Sequence, residues 1–147
     1  MRIAHNGFVV VADGRKMLFF RNEGDATNPR LIVERKDEQD NPPQREQGTD
    51  TPGGASGGVG SGRSAFSETD FHQLEEDRFA ADVADLLKVR ALRGDYEELI
   101  IVAPPKTLGE MRKHYHKEVE RRLTGELAKD LTSHPVDEIE KLLIATD

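Results

Sequence analysis

The chain contains no cysteine. That absence removes disulfides, thiolate metal ligands and thiol nucleophiles together. No apolar run approaches the roughly 18 residues needed to span a bilayer. The opening stretch, Met1 to Gly7, offers no apolar segment of signal-peptide length before the polar Asp13-Gly14 pair. Cytoplasmic residence is therefore the expectation, with no membrane insertion. Positive charge is also in deficit: 21 Lys and Arg face 28 Asp and Glu, for a net charge of −7. Such a balance suits a soluble protein and disfavours wholesale binding to nucleic acid, while leaving room for a local basic face. Between Val33 and Phe66 only one large apolar residue occurs, Val59.

The rest of the chain is core-forming. Its 147 residues are one domain's length. Phe8 to Ala12 is a continuous, largely β-branched apolar run, and Lys16 to Phe20 is a second. Asp13-Gly14 between them predicts a hairpin closed by a type I′ turn. A further turn at Asn22 to Asp25 leads to Leu31-Ile32-Val33, so residues 7–36 read as a three-stranded antiparallel meander. Residues 37–66, with seven glycines and Pro42, Pro43 and Pro52, read as a flexible loop that buries almost nothing. Helical periodicity resumes after Ser67. Asp70 is placed to cap, and Leu74, Phe79, Ala80, Val83, Ala84 and Leu87 share a stripe that ends at Gly94.

Leu99 to Ala103 reads as a strand buried on both faces. Thr107 to Glu110 is a capping box that predicts one helix to about Leu123. Leu127 to Leu131 predicts a weaker strand. Thr132 or Ser133, with Pro135, starts a last helix whose stripe is Val136, Ile139, Leu142 and Leu143. The fold class is α/β: a mixed sheet covered by helices, in the order βββ, long Gly-rich loop, α, β, α, β, α, built as a single domain over 1–147.

Five segments carry a resemblance: VVVADGRKMLFFRNEGD, EQGTDTPGG, DFHQLEEDRFAADVADLL, ELIIVAPPKTLGEMRK and KDLTSHPVDEIEKLL. In this order they resemble the bacterial host-attachment protein family. That family is similar to the middle domain of archaeo-eukaryotic class-one release factors and of Pelota-type ribosome rescue proteins. The resemblance implies an RNase H-like sheet. It also implies a functional tip in the loop between the third strand and the first helix, and a ribosome or tRNA as partner. The tip here holds Gly57, Gly58, Gly60 and Gly62, followed by Arg63. In release factors the tip is Gly-Gly-Gln. Here Gly53-Gly54 precedes Ala55 and Gly57-Gly58 precedes Val59, so the glutamine tied to peptidyl-tRNA hydrolysis is missing. Binding without catalysis is the implied role, and no cofactor is expected. The attachment label, taken literally, implies an envelope factor acting indirectly.

Other constellations carry a plain reading beside the functional one. Gly57 to Ser64 nearly matches the phosphate-loop pattern, with Arg63 in the lysine position, but no strand immediately precedes it. Asp13 is accounted for by its turn. Asp70, His72 and Glu76 cluster at a helix start and are the candidates for a metal-assisted hydrolase; the plain reading is an acidic, dipole-favoured helix end. His114 and His116, two apart on a helix, cannot share one metal. Lys106, Arg112, Lys113, Lys117, Arg121 and Arg122 make a local positive surface suited to RNA phosphates, or else a solvated face with pairs such as Glu118 to Arg122. With Tyr115 the only nearby aromatic, no base-stacking platform is available.

Overall fold

A computed structural model of the chain describes residues 1–38 and 68–146. Gly57, Gly58, Gly60, Gly62, Arg63 and the phosphate-loop-like pattern lie outside the described residues. The element order is β1 (Phe8–Ala12), β2 (Lys16–Asn22), β3 (Leu31–Glu38), α1 (Glu68–Leu92), β4 (Leu99–Ala103), α2 (Pro105–Arg112), α3 (Lys117–Arg122), β5 (Leu123–Ala128) and α4 (Val136–Ala145).

The five strands form one mixed sheet in the order β3-β2-β1-β4-β5. β1 pairs antiparallel with β2 and parallel with β4; β2 pairs antiparallel with β3, and β4 parallel with β5. Helices cover both faces. Phe8, Val10, Ala12, Phe19, Leu99 and Ile101 point to the side packed by α1, α2 and α3, where Ala80, Val83, Leu87, Leu108, Met111 and Val119 meet them. Val9, Val11, Phe20, Ile100 and Val102 point the other way, to Ile139 and Leu143 of α4. This is why β1 and β4 read as unbroken apolar runs: every residue of each is buried, on alternate faces. Phe19, Phe20 and Phe79 are core residues, as expected.

Several local expectations are corrected. The β1–β2 turn is not type I′, because neither Asp13 nor Gly14 has positive φ. The Asp13 carboxylate closes it instead: Oδ1 accepts from the N–H groups of Arg15 at 2.8 Å and Lys16 at 2.7 Å. An Asx-type bond supplies the reversal that mirror-image dihedrals would otherwise give. Residues 37 and 38 continue β3 rather than opening a loop. α1 is already helical at Glu68, so Asp70 lies within it and is no cap, and Leu74 is exposed. The helix expected from Thr107 to Leu123 is two helices. α2 begins one turn early on Pro105 and ends at Arg112; after a turn, the His116 ring accepts from the Glu118 N–H at 3.0 Å and caps α3. The last strand runs Leu123–Ala128, and Leu131 is buried beyond its end. α4 starts on Pro135 with no side-chain cap.

Gly94 ends α1 as expected. Its φ is +76°; its N–H donates to Ala91 O at 2.9 Å and that of Asp95 to Arg90 O at 3.0 Å, a Schellman closure. In β3 the register slips between Phe19, opposite Arg35, and Phe20, opposite Val33, which leaves Glu34 as an extra residue. The Glu34 carboxylate meets Arg21 Nε at 2.9 Å and Arg90 Nη2 at 3.0 Å. The first contact is an ion pair without hydrogen-bond alignment. Arg90 also reaches Asp95 at 2.7 Å and lies 4.8 Å from the Phe19 ring centroid, closing the edge of the core.

Candidate nucleic-acid interface

The six cations read from the sequence occupy two ends of the sheet. Lys106 sits at the end where β1, β4 and β5 terminate. A crevice of about 320 Å³ opens there, lined by Asp13, Arg15, Glu76, Lys106, Thr107 and Asp130. β3 finishes at this same end, since Glu38 pairs with Lys16, and α1 passes over it, with Glu76 Cδ 2.7 Å from where a Cβ on residue 14 would stand. The chain therefore leaves β3 at the end that holds Lys106, and α1 passes over that end at Glu76, about two turns in from its start. Thr132 Oγ1 lies 2.9 Å from Asp13 Oδ2 and 2.8 Å from Asp130 Oδ1, and it ties the β1–β2 turn to the turn after β5.

Of the candidate hydrolase set, Glu76 alone lines this crevice. Asp70 and His72 lie further toward the helix start, and the His72 ring stands edge-on to Phe71 with centroids 5.8 Å apart. Among the described residues no three His, Asp or Glu side chains converge to hold a metal ion.

Lys113, Lys117, Arg121 and Arg122 gather around the α2–α3 turn, toward the start of β5. Arg112 ends α2 and reaches β5 itself. The carboxylates here are shared. Glu126 accepts from Arg112 through Nε at 3.1 Å and Nη2 at 2.6 Å, and from Tyr115 Oη at 3.0 Å. Burial first, and Glu126 second, push the Tyr115 phenol well above the ordinary tyrosine range. Glu118 holds Arg122 Nη1 at 2.6 Å and Arg121 Nη1 at 3.2 Å; Arg122 is the main reason its carboxyl sits below the ordinary range. Glu110 holds Lys113 at 3.0 Å and the His114 ring at 3.4 Å, with Lys113 the main cause of its lowered pKa.

Exposure sets Arg122 apart, whereas Arg112 is 55% exposed and differs from its neighbours in its two-pronged hold on Glu126. The Arg122 side chain is 13% exposed and also donates to Tyr96 O at 2.9 Å, so it fastens α3 to the loop before β4. Lys113 and Arg121 are 69% and 72% exposed. Lys106 and Lys117 are exposed and form no ion pair among the described residues. Sequence reasoning placed five of them on one helix, with Lys106 just before it, as one local positive surface. It missed the break at 113–116, for which the His116 cap was the available signal. It also missed Glu126 as the partner of Arg112.

No helix among the described residues is long and apolar enough to cross a membrane. The chain is similar to an uncharacterized protein of Rickettsia prowazekii (strain Madrid E), 42% identical over 55 residues, which is 37% of this chain and 37% of the relative. It thus matches well under two thirds of that relative's length. Among solved structures it is similar to archaeal translation termination factor aRF1, with TM-score 0.46 and 11% identity over 91% of this chain and 36% of that one. A family model described as bacterial archaeo-eukaryotic release factor family 12 matches residues 6–143. With nearly the whole chain covered, this protein belongs to the bacterial archaeo-eukaryotic release factor family 12.

Proposed function

We propose that this protein is a release-factor-like binding protein that contacts a ribosome or tRNA without catalysing a reaction. The contact would run through the glycine-rich segment at Gly57 to Gly62 with Arg63, and through the basic corner at α2 and α3. One observation carries the reading. At the α2–α3 corner Lys113 and Arg121 are 69% and 72% exposed and Lys117 is exposed with no ion pair among the described residues, on a chain of net charge −7. A positive surface retained on an acidic protein suits a polyanionic partner. The missing glutamine after either Gly-Gly pair favours binding over peptidyl-tRNA hydrolysis. An attachment phenotype is then indirect.

Co-sedimentation of the full chain with ribosomes, and gel shift with bulk tRNA, test the reading. Association at low salt that fades as salt rises is expected, because exposed charge contacts are screened. No association with either at low salt removes this partner class.

A further inference from the structure

The cations of the α2–α3 corner are not equivalent. Resting on the reading above, we infer that Lys113, Lys117 and Arg121 form its contact face for the phosphate backbone of folded RNA. Arg112, itself 55% exposed, and Arg122 take no part, because Glu126 fastens the first to β5 and the Tyr96 carbonyl the second to the loop before β4.

Geometry sets the face. Val119 is fully buried, and Lys117 and Arg121 lie two residues before and after it. At about 100° per residue both project roughly opposite Val119, away from the core. Lys113 closes α2 at the start of the tight turn that leads to Lys117.

Availability follows from what each cation would leave behind. If Arg121 swings to a phosphate, Glu118 keeps Arg122 at 2.6 Å. If Lys113 swings, Glu110 keeps the His114 ring at 3.4 Å. Lys117 has no ion pair among the described residues to break. These exchanges cost little, because solvent screens an exposed lysine or arginine pair and holding it in one geometry costs side-chain entropy. Arg112 cannot leave on those terms. Its departure would strand Glu126 with only the Tyr115 hydroxyl, and that of Arg122, 13% exposed, would leave the Tyr96 carbonyl without its donor and Glu118 with only the longer Arg121 contact at 3.2 Å.

The partner's chemistry follows from what the corner lacks. Tyr115 is half-buried with its hydroxyl engaged, and the imidazoles beside it are held by the Glu110 carboxylate and the Glu118 N–H, so the corner presents no aromatic platform for an unpaired base. A face of flexible cations without rings reads the phosphate backbone of helical RNA, whatever its sequence. Ribosomal RNA and tRNA both offer it.

The test compares the full-length protein, the triple variant Lys113→Gln/Lys117→Gln/Arg121→Gln, and Arg112→Gln. Each is titrated against purified ribosomes and against bulk tRNA across salt, with melting curves for every variant. The triple variant should keep its melting temperature, lose about tenfold or more in affinity at low salt, and reduce the salt slope by about three. Arg112→Gln should melt earlier and bind as the parent does. Loss on ribosomes alone assigns the face to ribosomal RNA, and loss on tRNA alone to tRNA. A triple variant that binds like the parent, or a loss equalled by Arg112→Gln at a temperature where both are folded, overturns the assignment while the proposed function stands. A parent protein that binds neither partner removes both.

Discussion

Asn22 is the most consequential polar side chain in the fold. It is fully buried at the end of β2. Its Nδ2 donates to the carbonyls of Ile3 at 2.8 Å, Ala4 at 3.2 Å and Asp25 at 3.2 Å. Its Oδ1 accepts from the N–H groups of Gly24 and Arg30, both at 2.8 Å. One amide thus joins the N-terminal arm to both sides of the 23–30 turn. Asn22→Ala removes the hub and leaves two donors and two acceptors, Ile3 O and Asp25 O, without their partner, while Ala4 O keeps the Gly7 N–H at 2.8 Å. An unsatisfied buried group costs about 1–3 kcal/mol, and several of these are only partly buried, so a net loss of about 3–5 kcal/mol is expected. Against a total of roughly 5–15 kcal/mol, that is a large share. Urea denaturation should show a lower midpoint with an unchanged slope, and Tm should fall by roughly 10–20 °C. Amide exchange gives the local check: Gly24 and Arg30 should lose protection below the new global limit, while β4 amides follow global opening only. A loss under about 1 kcal/mol, or a protected Arg30 amide in Asn22→Ala, would refute the accounting.

Two further outcomes are specific. The chain has two tyrosines, Tyr96 and Tyr115, and burial pushes both phenols well above their ordinary range of about 10. A raised pKa means the folded state holds the proton longer, so the stabilisation is full below about pH 10 and is lost as pH climbs beyond it. Absorbance at the phenolate band should stay flat through pH 10–11 and then rise for both tyrosines together, as the fold opens; a separate early step would contradict the burial. Gly94→Ala meets no neighbour within 4 Å, so its cost is conformational alone. Thermal melts should show a loss of about 1–2 kcal/mol from the left-handed backbone.

The sheet was legible where burial was two-sided. Phe8 to Ala12 and Leu99 to Ala103 carry apolar residues at every position, because helices cover both faces. Such a run has few alternatives. β5 was misplaced by several residues because Leu123 to Ala128 is an edge strand, nowhere fully buried, and its sequence barely alternates. Leu131 looked like its end but belongs to the core under α4. The break in the basic helix stayed hidden because charged residues continue through it, and a histidine cap is a weak signal beside Thr107 and Glu110. Asn22 was unreadable for a different reason. An asparagine after a strand signals a turn, and nothing local tells that its side chain reaches residues 3, 4, 25 and 30. The cations of α2 and α3 were legible in the sequence, but the Glu126 carboxylate that holds Arg112 from across the fold was not.

The surplus residue at Glu34 makes chain length, and not only composition, a constraint on β3. Were that position deleted, Val33 and Arg35 would follow one another opposite Phe20 and Phe19, the pairs from Arg35 to Glu38 would keep their partners, and the bend that a bulge puts into the strand would go. Arg21 and Arg90 would also lose the carboxylate that balances them both. The heading on which the chain departs the sheet beside Lys16 thus depends on a one-residue offset four positions upstream.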